Sequence, residues 1–209
     1  MRELPDETVH APYGPLPEGG TVRPITRWGT PVMHRPQQPV SAHDDALRSL
    51  AADMVATMYA ADGVGLAACQ IGEDVALFVF DCPDDSGRRT VGVVCNPEVS
   101  TPVGPERQLD VGDEGCLSFP GLYYECTRAM SVRVTGADLS GQPLDLRGDG
   151  VLARVFQHEI DHLDGVLFID RLPRGERKKA MRAWREREHD LELHGAEPHL
   201  HPGRRAPAI

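Results

Sequence analysis

Apolar positions along the 209-residue chain recur with two different periods, and the switches between them set the expected order of elements. Between Ser41 and Gly63, the residues Leu47, Leu50, Ala51, Met54, Val55 and Met58 fall one, three or four apart, along one face of a helix. Ser41 can cap this helix and Gly63 can end it, and it reads as a core element. Short β-like runs follow at 75–80 and 91–95, separated by a polar turn. Residues 130–135 alternate, and Leu139-Ser-Gly-Gln turns them toward 144–146 as in a hairpin. From Val151 to Gly165 the helical spacing returns through Val151, Leu152, Val155, Phe156 and Leu163, predicting a second, largely buried helix. A short apolar run at 166–169 leads through Pro173 into a last helix, about 174–193, carrying Met181 and Trp184. Helix, several strands, then helices is an α+β order.

The ends lack either period. Residues 1–22 are rich in Pro, Gly and acidic side chains and are expected to form an extended or disordered arm. Residues 194–209 turn to His, Pro, Gly and Arg and are expected to be a disordered tail. Between them, 23–193 is expected to be one domain, with the 40% hydrophobic and 26% charged balance of a soluble globular protein. No apolar run is long enough to span a membrane, and the first residues lack the basic-then-apolar order of a secretory signal, so a cytoplasmic location is expected. The five cysteines form no C-x-x-C pair, which fits reduced thiols in that compartment.

Charge changes the picture in one place. A net charge of -10 disfavours general nucleic-acid binding, yet eight of the 22 Lys and Arg lie between Arg171 and Arg187, against Glu176 and Glu186 alone. Lys178, Arg182 and Arg185 make one stripe, with Arg174 a turn earlier. Such a stripe is either a solvated helix face or the surface for a separate, anionic partner.

The candidate chemistry centres on the second helix, where His158 and His162 lie four residues apart and leave the same face, with Glu159 between them. H-E-x-x-H on a helix is the pattern of two metal ligands and a carboxylate that takes a proton from bound water. Two surface histidines on an amphipathic helix would show the same spacing; the apolar surroundings favour the metal. Two histidines leave a divalent ion under-coordinated, and Cys116, in Asp113-Glu-Gly-Cys-Leu-Ser-Phe-Pro-Gly121, is the candidate third ligand. A lone cysteine can equally be a small buried hydrophobe. A third stretch, Gly63-Val-Gly-Leu-Ala-Ala-Cys-Gln-Ile-Gly72, is open enough for another chain to approach its backbone and carries an amide donor at Gln70.

In this order the three stretches resemble the motifs of the peptide deformylase family, G-x-G-L-A-A-x-Q, E-G-C-L-S and H-E-x-x-H-L-x-G, of bacterial and specifically actinobacterial type. The resemblance runs over about 23–184 and includes Gln157 and Asp170. It implies an α+β fold with three small sheets around the histidine helix, and a metallohydrolase that removes the formyl group from the N-formylmethionine of nascent polypeptides. The implied ion is iron(II), with zinc or nickel as substitutes. Cys116, His158 and His162 would bind it, Glu159 would act as base and acid, and Gln70 with the Leu117 backbone N–H would meet the developing oxyanion. The peptide would lie extended along Gly63, Val64 and Gly65 and along Glu114 and Gly115, as an added strand. Glu114 also reads as a support behind the ligands. Val64, Val151, Val155 and Tyr123 would wall the methionine pocket, although core packing accounts for each valine equally well. The basic stripe would dock on the ribosome near the exit tunnel, and the protein is expected to be monomeric. A zinc peptidase, whose third ligand would be a downstream residue such as His189, and an inactive metal-binding module remain as alternatives.

Overall fold

The computed structural model describes residues 9–10, 14–83, 88–194 and 209; the tail expected over 194–209 therefore lies almost wholly outside the described residues. The described elements are β1 (Val9–His10), α1 (Asp45–Ala60), β2 (Gly65–Ala67), β3 (Leu77–Pro83), β4 (Arg89–Ser100), β5 (Leu109–Gly115), β6 (Tyr123–Ala129), β7 (Ser131–Ala137), β8 (Pro143–Asp149), α2 (Gly150–Leu163) and α3 (Arg174–His194). Each helix and the β7–β8 hairpin fall where the periodicity puts them. The start of α1 differs, because Asp44, not Ser41, accepts from the Leu47 N–H at 3.0 Å. A cap must stand directly before the first turn to reach its free N–H groups, and only Asp44 does.

Strands β2, β3, β4, β7 and β8 pair in that order, all antiparallel, with β1 parallel to β4. Strands β5 and β6 make a separate antiparallel pair. Where three sheets were expected, the described strands thus form two, and the reason is β4. Its first part pairs with β3 and, after a register shift between Cys95 and Glu98 with Asn96 at positive φ, its end pairs with β7.

Within the larger sheet β3 is buried on both faces, which is why it reads as an unbroken apolar run, whereas β8 alternates buried and exposed positions. Leu77 and Val79 belong with α1's Leu47, Ala51, Met54, Val55 and Met58 in one cluster. Phe78 and Phe80 point the other way and join α2's Val155, Phe156 and Ile160 in a second. The Phe80 and Phe156 rings meet edge to face at 5.0 Å. Helix α2 therefore sits with one side against the sheet and the other toward β5–β6. Trp184 of α3, fully buried, packs edge to face on Phe119 at 5.0 Å, and Phe119 on Phe168 at 5.7 Å. This cluster fixes the segment that follows Cys116. Ahead of α1, the Thr21 N–H donates to Asp53 and the Arg23 side chain pairs with Asp53 and Glu73. Among the described residues no helix is long and apolar enough to cross a membrane.

Candidate metal centre

His158, Glu159 and His162 lie on the buried side of α2, and the two imidazole rings meet at 4.8 Å. Cys116 comes to them from the end of β5, where the chain leaves the strand in a tight turn closed by the Phe119 N–H to the Cys116 carbonyl at 2.9 Å. Its approach depends on Gly115, where a Cβ would lie 2.4 Å from the Tyr123 ring. The Cys116 Sγ stands 3.2 Å from His162 Nε2, and one donor atom each from Cys116, His158 and His162 fall within 4.8 Å of one another. Among the described residues, His158 Nε2 is buried without a hydrogen-bond partner. A buried, unpaired ring nitrogen beside a thiol and a second imidazole is costly unless a cation is shared among them, so these donors fit a divalent ion. The Cys116 thiol is pushed up by burial and His162 is driven well below its usual range, also mainly by burial; a bound cation acts against the first and with the second, since ligation needs a thiolate and neutral imidazoles.

Behind the ligands lies a buried ionic network. Glu114 accepts at 2.7 Å from His158 Nδ1, leaving Nε2 free for an ion. Arg128 grips both Glu114 oxygens, at 2.6 and 3.0 Å, and reaches Asp161 at 2.6 Å. Arg154 adds a contact to Glu114 at 3.0 Å and continues to Asp110 at 2.8 Å, while Arg171 takes Asp161. Burial raises the Glu114 carboxyl, but His158 and Arg128 together outweigh it and hold the group well below the usual carboxylate range. Asp110, Arg128, Arg154, Asp161 and Arg171 were missed from sequence. The one usable signal was Arg154, a charge inside the apolar stretch of α2.

Glu159 is fully buried, and among the described residues neither carboxylate oxygen has a hydrogen-bond partner. Burial, and then the charge of Glu114, raise it well above its usual value. It packs on the backbone of β2: a Cβ at Gly65 would lie 2.4 Å from Glu159 Oε1. The Gln70 side chain is aimed by the Ala67 N–H, which donates to its Oε1 at 2.8 Å, so that its Nε2 faces Cys116 Sγ at 3.6 Å and Ser118 Oγ at 3.5 Å. Leu117 is buried, with its side chain 2.8 Å from where a Gly63 Cβ would stand, and its N–H donates to the Ile209 carbonyl oxygen at 3.0 Å. Val64 and Val155 are buried in the same cluster as Cys116; Tyr123 is half-buried against Gly115, and Val151 is 47% exposed at the start of α2. Arg174, Lys178, Arg182 and Arg185 lie together on the exposed side of α3 and line one open groove. Among the described residues none of the four has an ion pair, whereas Arg177 pairs with Asp170 and Lys179 with Glu176. His189, the donor a peptidase reading would need, is exposed on α3.

Three protein donors would leave a divalent ion room for water, and Glu159 lies on the same helix between the two histidines. The centre thus places the chain among the metal-dependent hydrolases. Residues 22–178 match the polypeptide deformylase family. Peptide deformylase 1 of Streptomyces avermitilis is 50% identical over 82% of this chain and 79% of its own, and the peptide deformylase of Acidothermus cellulolyticus is 49% identical over 80% and 88%. The crystal structure of the Thermus thermophilus enzyme superposes with a TM-score of 0.72 at 44% identity, over 84% of this chain and all of that one. The chain belongs to the peptide deformylase family, and it removes the N-formyl group from nascent peptides.

Proposed function

We propose that each named side chain takes a definite part in that reaction. The substrate lies extended between residues 63–65 and the strand at Glu114 and Gly115, and its methionine side chain enters an apolar pocket walled by Val64 and Val155, with Tyr123 and Val151 toward the outside. Glu159 accepts a proton from the attacking water and delivers it to the departing amine. Gln70 Nε2 and the Leu117 N–H donate to the formyl oxygen as negative charge grows on it. Cys116, His158 and His162 would hold the ion, which would supply Lewis acidity and lower the pKa of water toward about 7. What supports the assignment above all is Glu159, a fully buried acid with no hydrogen-bond partner among the described residues, pressed against the backbone that the peptide would follow. A buried carboxyl left unpaired is destabilising, and neither a storage site nor a structural ion would need it.

The test is Glu159→Gln, which keeps the shape of the side chain and removes the base. Elemental analysis should find full metal, and turnover of formyl-Met peptide should fall at least ~10²-fold. Normal turnover with metal retained would take Glu159 out of the mechanism.

The physiological ion in this reading is iron(II), with zinc or nickel able to replace it, since one thiolate and two imidazoles suit all three. Activity of anaerobically prepared enzyme should decay in air while nickel-loaded enzyme persists. The protein works in the cytoplasm, where its basic stripe of Arg174, Lys178, Arg182 and Arg185 docks on the RNA-rich surface of the ribosome near the exit tunnel.

A further inference from the structure

Ile209 stands far from the end of α3 in sequence yet meets the backbone at the centre of the site. Its N–H donates to the Gly115 carbonyl at 3.2 Å, and its carbonyl oxygen accepts from the Leu117 N–H at 3.0 Å. These two bonds flank Cys116 and have the pattern of a strand added to the edge of β5. The residue is 3% exposed, and its side chain belongs to the cluster that contains Cys116, Val64 and Val155. The chain from His194 to Ile209 can span up to ~50 Å when extended, more than the width of a domain of this size, so one molecule can make the contact with itself.

We propose that Ile209 is an intramolecular occupant of the peptide-binding strand, competing with the formylated substrate for the Gly115 carbonyl and the Leu117 N–H. The inference rests on the reading that substrate pairs with this strand. The chemistry is that of a peptide ligand. Two main-chain hydrogen bonds register it, and a branched aliphatic side chain buried in the same core cluster supplies the apolar part. Because the Leu117 N–H cannot serve Ile209 and a developing oxyanion together, the enzyme is inactive while Ile209 is seated. Saturating substrate displaces it, so the device raises KM and leaves kcat alone. The apparent affinity for substrate is reduced by the fraction of time that the strand is free.

The experiment compares zinc-loaded parent, Ile209→Asp and Ile209→Ala. Asp places a charge in the apolar space and should abolish seating, while Ala should weaken it. KM for formyl-Met peptide should fall about threefold or more in the Asp variant, which corresponds to a strand occupied roughly two-thirds of the time in the parent. The fall should be smaller for Ala, with kcat unchanged and the effect independent of enzyme concentration. The synthetic peptide Arg-Arg-Ala-Pro-Ala-Ile should inhibit the Asp variant competitively. Unchanged KM in both variants would overturn the proposal, as would an effect that disappears on dilution of the enzyme. NMR of the Leu117 amide separates this failure from failure of the substrate reading. The Leu117 signal should move on Ile209→Asp and move again when Met-peptide product is added. If product moves it and the substitution does not, only the role of Ile209 is lost. If product never moves it, substrate does not pair with this strand.

Discussion

Arg128→Met removes the side chain that connects the metal ligands' support to the rest of the core. Arg128 is almost fully buried and makes three charge-assisted hydrogen bonds, two to Glu114 and one to Asp161. Asp161 keeps Arg171, and Glu114 keeps Arg154 and His158. Breaking a buried pair by deleting one partner costs about 3–5 kcal/mol, and the remaining cations place this case near ~3 kcal/mol. Urea unfolding of metal-free protein at neutral pH measures the loss. Since His158 loses the fixed orientation of its supporting carboxylate, zinc affinity in a chelator competition should also drop ~10–100-fold. The pH dependence carries the sign of the cause. The Glu114 carboxyl is held below its unfolded value of about 4.3, so its contribution is present above that pH and is lost as pH falls further. Parent and variant stabilities should therefore converge in acid. A loss under ~1 kcal/mol, or one of the same size at every pH, would refute the argument that Arg128 acts by compensating a buried charge.

Gly65→Ala puts a methyl group 2.4 Å from Glu159 Oε1, forcing the carboxylate to shift, and should lower kcat ~10²-fold in steady-state assays with KM far less affected; unchanged kcat would mean that the carboxylate position is not critical. Burial pushes the Cys95 thiol up to about 12, so the stability it confers is complete below its unfolded value of about 8.5 and declines as pH rises beyond it. The urea midpoint should fall between pH ~8.5 and ~10.5, and Cys95→Ala should lessen the fall. Reversing Lys178, Arg182 and Arg185 to Glu together should abolish low-salt co-sedimentation with ribosomes and leave turnover of free peptide intact; parent-like sedimentation would reduce the stripe to a solvated face.

The helices and the metal ligands were legible because their information is local. Apolar spacing fixes the buried faces of α1 and α2, and a separation of four residues is enough to converge His158 and His162. The β5–β6 hairpin was not legible, since Leu109-Asp-Val-Gly-Asp-Glu-Gly115 has the acids and glycines of a loop. Partners remote in sequence make it a strand: Arg154 neutralises Asp110 and Glu114, and Arg128 holds Glu114 across the pair. The joining of the sheets through β4 depends on a register shift that no alternation of residue types announces. Ile209 sits at the end of a Pro- and Arg-rich stretch without periodicity, so nothing in its neighbourhood marks it as a ligand.

The separation of Cys116 from His158 and His162, on elements that meet only through the assembled core, bears on how the protein acquires its ion. High contact order means that loop closure must come before the three donors can converge, so folding should be slow and its rate set by the apo chain. An ion that binds only the converged state stabilises the native protein by mass action, and it should act on the unfolding rate with the folding rate unchanged. Metal supply would then govern the lifetime of the folded enzyme and leave the speed at which new molecules mature untouched.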